Sequence, residues 1–176
     1  MQVPVPTLDE VDLALKMLKL NKAPGPDRIQ ADLLKFGGQL LRERIYNIIL
    51  YIWNHEILPM EWTHGIICPI HKKGDPTKCC NYRGISLLNS IYKVFSIILF
   101  NRLSPWTDEV IGEYQCGFRK KKSTSEQIFN LRQILEKSRE FGIDLHYLFI
   151  DFKSAYDSID RNSLLEALLE LSLIHI

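Results

Sequence analysis

An α+β fold, mainly helical with one β-hairpin, is what this sequence predicts, on three observations. Thr7 with Glu10, and Ser123 with Glu126, each form a capping-box pattern ahead of apolar residues at helical spacing. A short β-branched run, 65–70, and a returning strand segment, 82–88, flank a charged turn at 71–76. A third strand-like run, 146–150, delivers Asp151 at its C-terminal end.

Taken in order, the first helix places Leu8, Val11, Leu15 and Leu18 on one face and stops at Asn21. In the loop Ala23-Pro24-Gly25-Pro26-Asp27 the prolines fix the backbone and bar a helix. A short helix over 31–36 ends at Gly37 and Gly38. The next, 39–54, carries Leu41, Ile45, Ile48, Ile49, Ile52 and Trp53 at core spacing, and Pro59 closes that section. The hairpin follows, its basic tip formed by Lys72, Lys73, Lys78 and Arg83. Residues 89–103 read as a largely buried helix and 105–117 as irregular. Ser123 opens a helix that runs to about Phe141 and stops at Gly142. Ser163 with Glu166 opens a last helix with Leu164, Leu165, Leu168 and Leu169 on one face. The chain's last residues, 171–176, continue that apolar face and carry no stop signal.

Bulk properties narrow the function. The chain has 176 residues, 46% hydrophobic and 24% charged, enough for one globular domain or a large part of one. A net charge of +1 excludes a binder that works through overall basicity and directs attention to local clusters. No apolar run reaches the roughly 18 residues of a membrane span. The start lacks the basic and apolar regions of a signal peptide. These features predict an intracellular protein, nuclear or cytoplasmic, with Cys68, Cys79, Cys80 and Cys116 reduced.

Several clusters carry potential chemistry. A carboxylate at the end of a buried strand can hold a divalent metal, and Asp151 is so placed, with Asp157 nearby and Tyr156 between. The hairpin-tip cations suit a triphosphate, although turn lysines are often simply solvated. Arg83 lies beside Tyr82 in a segment that turns apolar, where a semi-buried guanidinium would seek an anion. Arg119, Lys120, Lys121 and Lys122 precede a helix whose dipole disfavours cations at that end. They therefore suit phosphate oxygens, or form a solubilising surface cluster. His64, Cys68, His71 and Cys79 or Cys80 match no common zinc-finger spacing, and Cys68 reads as a small hydrophobe, so no zinc is expected. Trp53, Trp62 and Trp106 read as core.

In order, the landmarks are Lys-Ala-Pro-Gly-Pro-Asp at 22–27, Pro-Ile-His-Lys-Lys-Gly-Asp at 69–75 and Asn-Tyr-Arg-Gly-Ile-Ser-Leu-Leu at 81–88. Gln-Cys-Gly-Phe-Arg begins at Gln115, with Ser-Thr at Ser123 and Gln-Ile at Gln127. Phe-Ile-Asp-Phe-Lys-Ser-Ala-Tyr-Asp-Ser-Ile occupies 149–159. This series closely resembles the reverse transcriptase of non-LTR (LINE-like) retrotransposons, over nearly the whole chain.

The resemblance implies an incomplete right-hand polymerase fold. Residues 1–144 would be the fingers with an N-terminal extension, and 145–176 the first strand and helix of the palm. Asp151 matches the first catalytic aspartate and the Phe152 carbonyl a backbone metal ligand. Tyr156 matches the aromatic residue beneath the incoming sugar. Lys72, Lys73 and Arg83 match residues that hold the deoxynucleotide triphosphate. Gln115, Gly117 and Arg119 to Lys122 match the template path. Mg2+, an RNA template, a DNA primer and deoxynucleotide triphosphates are the implied cofactor and partners, with no membrane. Arg28 and Lys121 stand where the family often has glycine. The family's other catalytic acids, in an Ala-Asp-Asp turn, have no counterpart, and no Asp-Asp pair occurs. The resemblance thus implies an N-terminal fragment, inactive alone. The alternative is a non-enzymatic RNA-binding remnant of such an element.

Overall fold

A computed structural model describes residues 3–170. The apolar end expected at 171–176 lies outside the described residues. The chain divides into two compact units, one up to Ser104 and one from Pro105 onward.

In the first unit, helix α1 (Leu8–Met17) opens on a formed capping box. The Thr7 hydroxyl accepts from the Glu10 amide at 3.3 Å, and the Glu10 carboxylate accepts from the Thr7 amide at 2.8 Å. The helix ends sooner than expected, capped at Leu18. The short α2 (Ala31–Lys35) follows, then α3 (Gln39–His55), which ends on a left-handed Glu56. Val11, Ala14, Leu15, Leu18, Ala31, Leu34, Ile45 and Ile49 form one core with Val94 and Ile98 of α4 (Ser90–Val110). Ile48, expected in that core, is 40% exposed. Trp62 packs beside the core, edge-on to Tyr92 and tilted against Phe95.

The Pro-Gly-Pro loop is seated against the start of α4. A Cβ on Gly25 would lie 2.6 Å from the Leu88 carbonyl carbon and 2.7 Å from the Asn89 nitrogen, so only glycine allows this approach. Ser90 Oγ donates to the Ile29 carbonyl at 2.8 Å, and Asn89 Nδ2 to the Glu61 carbonyl at 3.0 Å. Strands β1 (Ile66–His71) and β2 (Tyr82–Leu87) pair antiparallel as expected, with Ile70 opposite Arg83 and His71 opposite Tyr82.

The second unit departs further from expectation. Pro105 and its successors are helical, because α4 runs to Val110. Helix α5 (Thr124–Phe141) ends on a left-handed Gly142 as expected, but Ser123 makes no side-chain cap. The Glu126 carboxylate faces the Cys116 thiol at 3.6 Å and does not reach back to the Ser123 amide. Helix α6 (Arg161–Glu170) begins before Ser163, because the Asp160 carboxylate accepts from the Ser163 amide at 2.8 Å. Trp106, expected in a core, is 49% exposed.

The strand expected at 146–150 is not formed. Strand backbone needs a ladder, and no other described segment pairs with these residues. The rings of Tyr147 and Phe149 are nearly parallel with centroids 6.3 Å apart, the spacing of alternate side chains on an extended chain. Leu148, Phe149 and Ile150 are all largely exposed, and Cys116 is the buried residue of this unit among the described ones.

Candidate functional site

The hairpin tip is held by its own polar groups. Asp75 accepts from the amide and hydroxyl of Thr77 at 2.9 and 2.7 Å. These bonds, the amide first, hold its carboxyl below the ordinary range. Asn81 Nδ2 donates to the Asp75 carbonyl at 2.8 Å, and Tyr82 donates its hydroxyl to Pro76 at 2.9 Å. His71 Nε2 lies 3.1 Å from the Gly74 carbonyl, which requires the proton on that nitrogen. Gly74 takes φ +81°, a left-handed position in the turn.

This framework places the predicted nucleotide-binding cations. Lys72 continues the ladder, its amide donating to the Asn81 carbonyl at 2.8 Å. Directly opposed residues of an antiparallel pair share a face, so Arg83 sits with Ile70, Cys68 and Ile85. Tyr82 and His71 share the other, their rings 5.3 Å apart. Lys72, Lys73, Lys78 and Arg83 are all exposed. The expected semi-burial of Arg83 is therefore corrected: strand β2 is open to solvent almost throughout and offers nothing to bury it. Cys68 is likewise exposed, not an interior hydrophobe, and all four cysteines are free.

The loop from Gly112 to Lys122 is tied to its own unit. Arg119 pairs with Asp108 at 3.3 Å and donates to the Gly112 carbonyl at 3.1 Å and the Ile111 carbonyl at 3.5 Å. Gln127 Nε2 donates to the Tyr114 carbonyl and approaches the Cys116 sulfur at 3.1 Å. Gln115 folds onto the loop too, donating to the Gly117 carbonyl at 3.3 Å. Lys120 and Lys121 are exposed, and Lys122 lies 3.9 Å from the fully exposed Glu113 carboxylate. The sequence grouped Arg119 with the three lysines. The structure separates them, because Asp108 lies too far upstream for a local pattern to reveal the ion pair.

Asp151 and Phe152 precede a turn over 153–158, in which Asp157 and Ser158 donate their amides to the Ser154 carbonyl at 2.9 and 3.0 Å. Ser154 has φ +52°. Tyr156 is exposed and meets Phe118 edge-on. Among the described residues no group of three His, Cys, Asp or Glu side chains could hold a metal ion. Asp151 supplies one carboxylate, and the described residues bring no second and third ligand to it.

Residues 70–175 match the family described as reverse transcriptase (RNA-dependent DNA polymerase). The chain belongs to the reverse transcriptase family. It is homologous to RNA-directed DNA polymerases of non-LTR retrotransposons, a group generally dependent on divalent metal. It is 31% identical over 93% of its length to a probable RNA-directed DNA polymerase from transposon BS of Drosophila melanogaster. It is 34% identical over 90% to that from transposon X-element of the same fly. It is 28% identical over 92% to a transposon TX1 uncharacterized 149 kDa protein of Xenopus laevis. The chain spans 18%, 18% and 12% of these three relatives respectively. No described helix is long and apolar enough to cross a membrane.

Proposed function

We infer that this chain supplies the fingers and the opening of the palm of a retrotransposon reverse transcriptase, with the boundary between them near residue 144. The observation that carries the reading is the family match from the hairpin through Asp151. The hairpin's exposed cations, set on a hydrogen-bonded turn, would hold the phosphates of a deoxynucleotide triphosphate. Preorganised cations favour such charge without reorganising when it arrives. Tyr156 would lie beneath the incoming sugar and exclude a 2′-hydroxyl by volume. Gln115, Gly117 and the run from Arg119 to Lys122 would border the RNA template, and the primer terminus would approach Asp151.

Magnesium, held by Asp151 and the Phe152 carbonyl with further acids, would supply Lewis-acid activation of the transferred phosphate. Those further acids are not among the residues here, so the chain is expected to bind without catalysing. The test is titration with single-stranded RNA and a deoxynucleotide triphosphate, alongside primer extension with magnesium. Binding of both ligands, with no extension, is the expected result. Absence of RNA binding would overturn the template assignment. Asp151-dependent extension would show that the further acids are dispensable.

A further inference from the structure

We propose that Phe118 is a stacking platform for an unpaired nucleobase, a role that rests on the template-surface reading above. Two anchors force the ring outward. On one side Cys116 is buried against the Gln127 amide. On the other, Arg119 is pinned to Asp108 and the Gly112 carbonyl. Between them Phe118 takes φ +61°, a conformation that side-chain-bearing residues rarely adopt, and the residue is 96% exposed. A phenylalanine ordinarily seeks the interior. Here exposure coincides with strain in a loop tied on both sides, a combination that points to use.

The surroundings favour a nucleic acid as the occupant. Tyr156 meets Phe118 edge-on, with centroids 6.3 Å apart and planes at 79°, which steadies the ring while leaving it open to solvent. Lys121 and Lys122 follow within a few residues and offer cations to a phosphate backbone. An open aromatic face beside cations is the pairing by which proteins hold single strands, since every base has a π-face. A duplex keeps its bases stacked and would not present one to this ring. An apolar protein partner would use the ring but not the lysines.

The test is titration of the full chain with single-stranded RNA carrying the fluorescent base 2-aminopurine, against Phe118→Leu and Phe118→Trp. Native chain should quench the fluorescence. Phe118→Leu should weaken binding by about five-fold or more with the salt dependence unchanged, and Phe118→Trp should retain both quench and affinity. Circular dichroism establishes that each variant is folded. If native chain binds RNA and Phe118→Leu binds equally well with the same quench, the platform is overturned while the template surface stands. If native chain binds no RNA, both fall.

Discussion

Arg102 on α4 grips Glu10 on α1 through two charge-assisted hydrogen bonds, Nε to Oε1 at 2.6 Å and Nη2 to Oε2 at 2.7 Å. The same guanidinium donates to the Pro4 carbonyl at 2.6 Å and the Val5 carbonyl at 3.2 Å, and stacks 5.0 Å from the Trp53 ring. One side chain thus ties the N-terminal segment, α1 and α3 to α4. Arg102→Met should lower stability by about 1–3 kcal/mol, read by urea titration of tryptophan fluorescence.

That pair also sets an acid limit. The Arg102 hydrogen bond, followed by that from the Thr7 amide, holds the Glu10 carboxyl below its ordinary 4.5 against the opposing effect of burial. A depressed folded pKa stabilises above the unfolded value and ceases to do so as pH falls through the folded one. The contribution is therefore full at neutral pH and lost below 4.5 as Glu10 takes up a proton. Glu10→Gln should flatten this part of the pH–stability curve, measured by urea midpoints from pH 6 down to about pH 3. An unchanged curve would show that the carboxylate charge does not matter there.

Gly25 should tolerate no side chain. The atoms a Cβ would strike all belong to the Leu88–Asn89 backbone, which cannot rotate away as a side-chain tip could. Gly25→Ala should cost about 1–3 kcal/mol, the range for overpacking a filled contact. The loss should appear as a lower thermal midpoint.

Arg28 and Lys121, standing where the family often carries glycine, both adopt left-handed backbone, with φ +57° and +61°. A Cβ costs about 1–2 kcal/mol in this region, and the extra freedom of unfolded glycine offsets about 0.4–1 of it. Arg28→Gly and Lys121→Gly should each raise stability by about 0.5–1 kcal/mol. Thermal melts of both single variants test this, and a destabilised Arg28→Gly would mean that its side chain makes a contribution outweighing the strain.

Where sequence legibility ended follows from the range of the forces involved. The first capping box, the apolar faces of α1 and α3, and the hairpin depend on residues close in the chain, so spacing revealed them. Ser123 and Glu126 have the same pattern as Thr7 and Glu10, yet Glu126 turns to the Cys116 thiol, a contact no local rule contains. Pro105 marked a break, but α4 continues through it to Val110. Among the candidate site residues, the spacing marked the cations of the hairpin turn. It held no sign that Arg119 is engaged by Asp108.

The basic run should divide under mutation. Changing Lys120, Lys121 and Lys122 to Ala should weaken single-stranded RNA binding without sequence preference. The dependence of log K on log salt should flatten by up to about 0.7 for each phosphate that is no longer neutralised. Arg119→Ala should act differently, because its guanidinium is committed to Asp108 and the loop carbonyls. It should lower the loop's protection against hydrogen exchange and leave the salt slope nearly unchanged. Equal slopes for native chain and the triple variant would reduce the lysines to surface charge.

Hydrogen exchange should divide the molecule along the same physical line. Amides of α1, α3 and the part of α4 around Val94 and Ile98 are hydrogen-bonded within helices that share a core, so exchange there requires opening that core. Residues 143–150 have no ladder partner among the described residues, and their apolar side chains lie largely in solvent. Unpaired strand-forming backbone with exposed Leu148, Phe149 and Ile150 is also a template for edge-to-edge association. The expected outcome is slow exchange in the core helices, fast exchange over 143–150, and concentration-dependent association. Substituting Leu148 and Ile150 by Lys should relieve that association without changing protection in α1 or α3. Uniform protection through residue 170 in a monomer would mean that 143–150 finds a partner within its own chain.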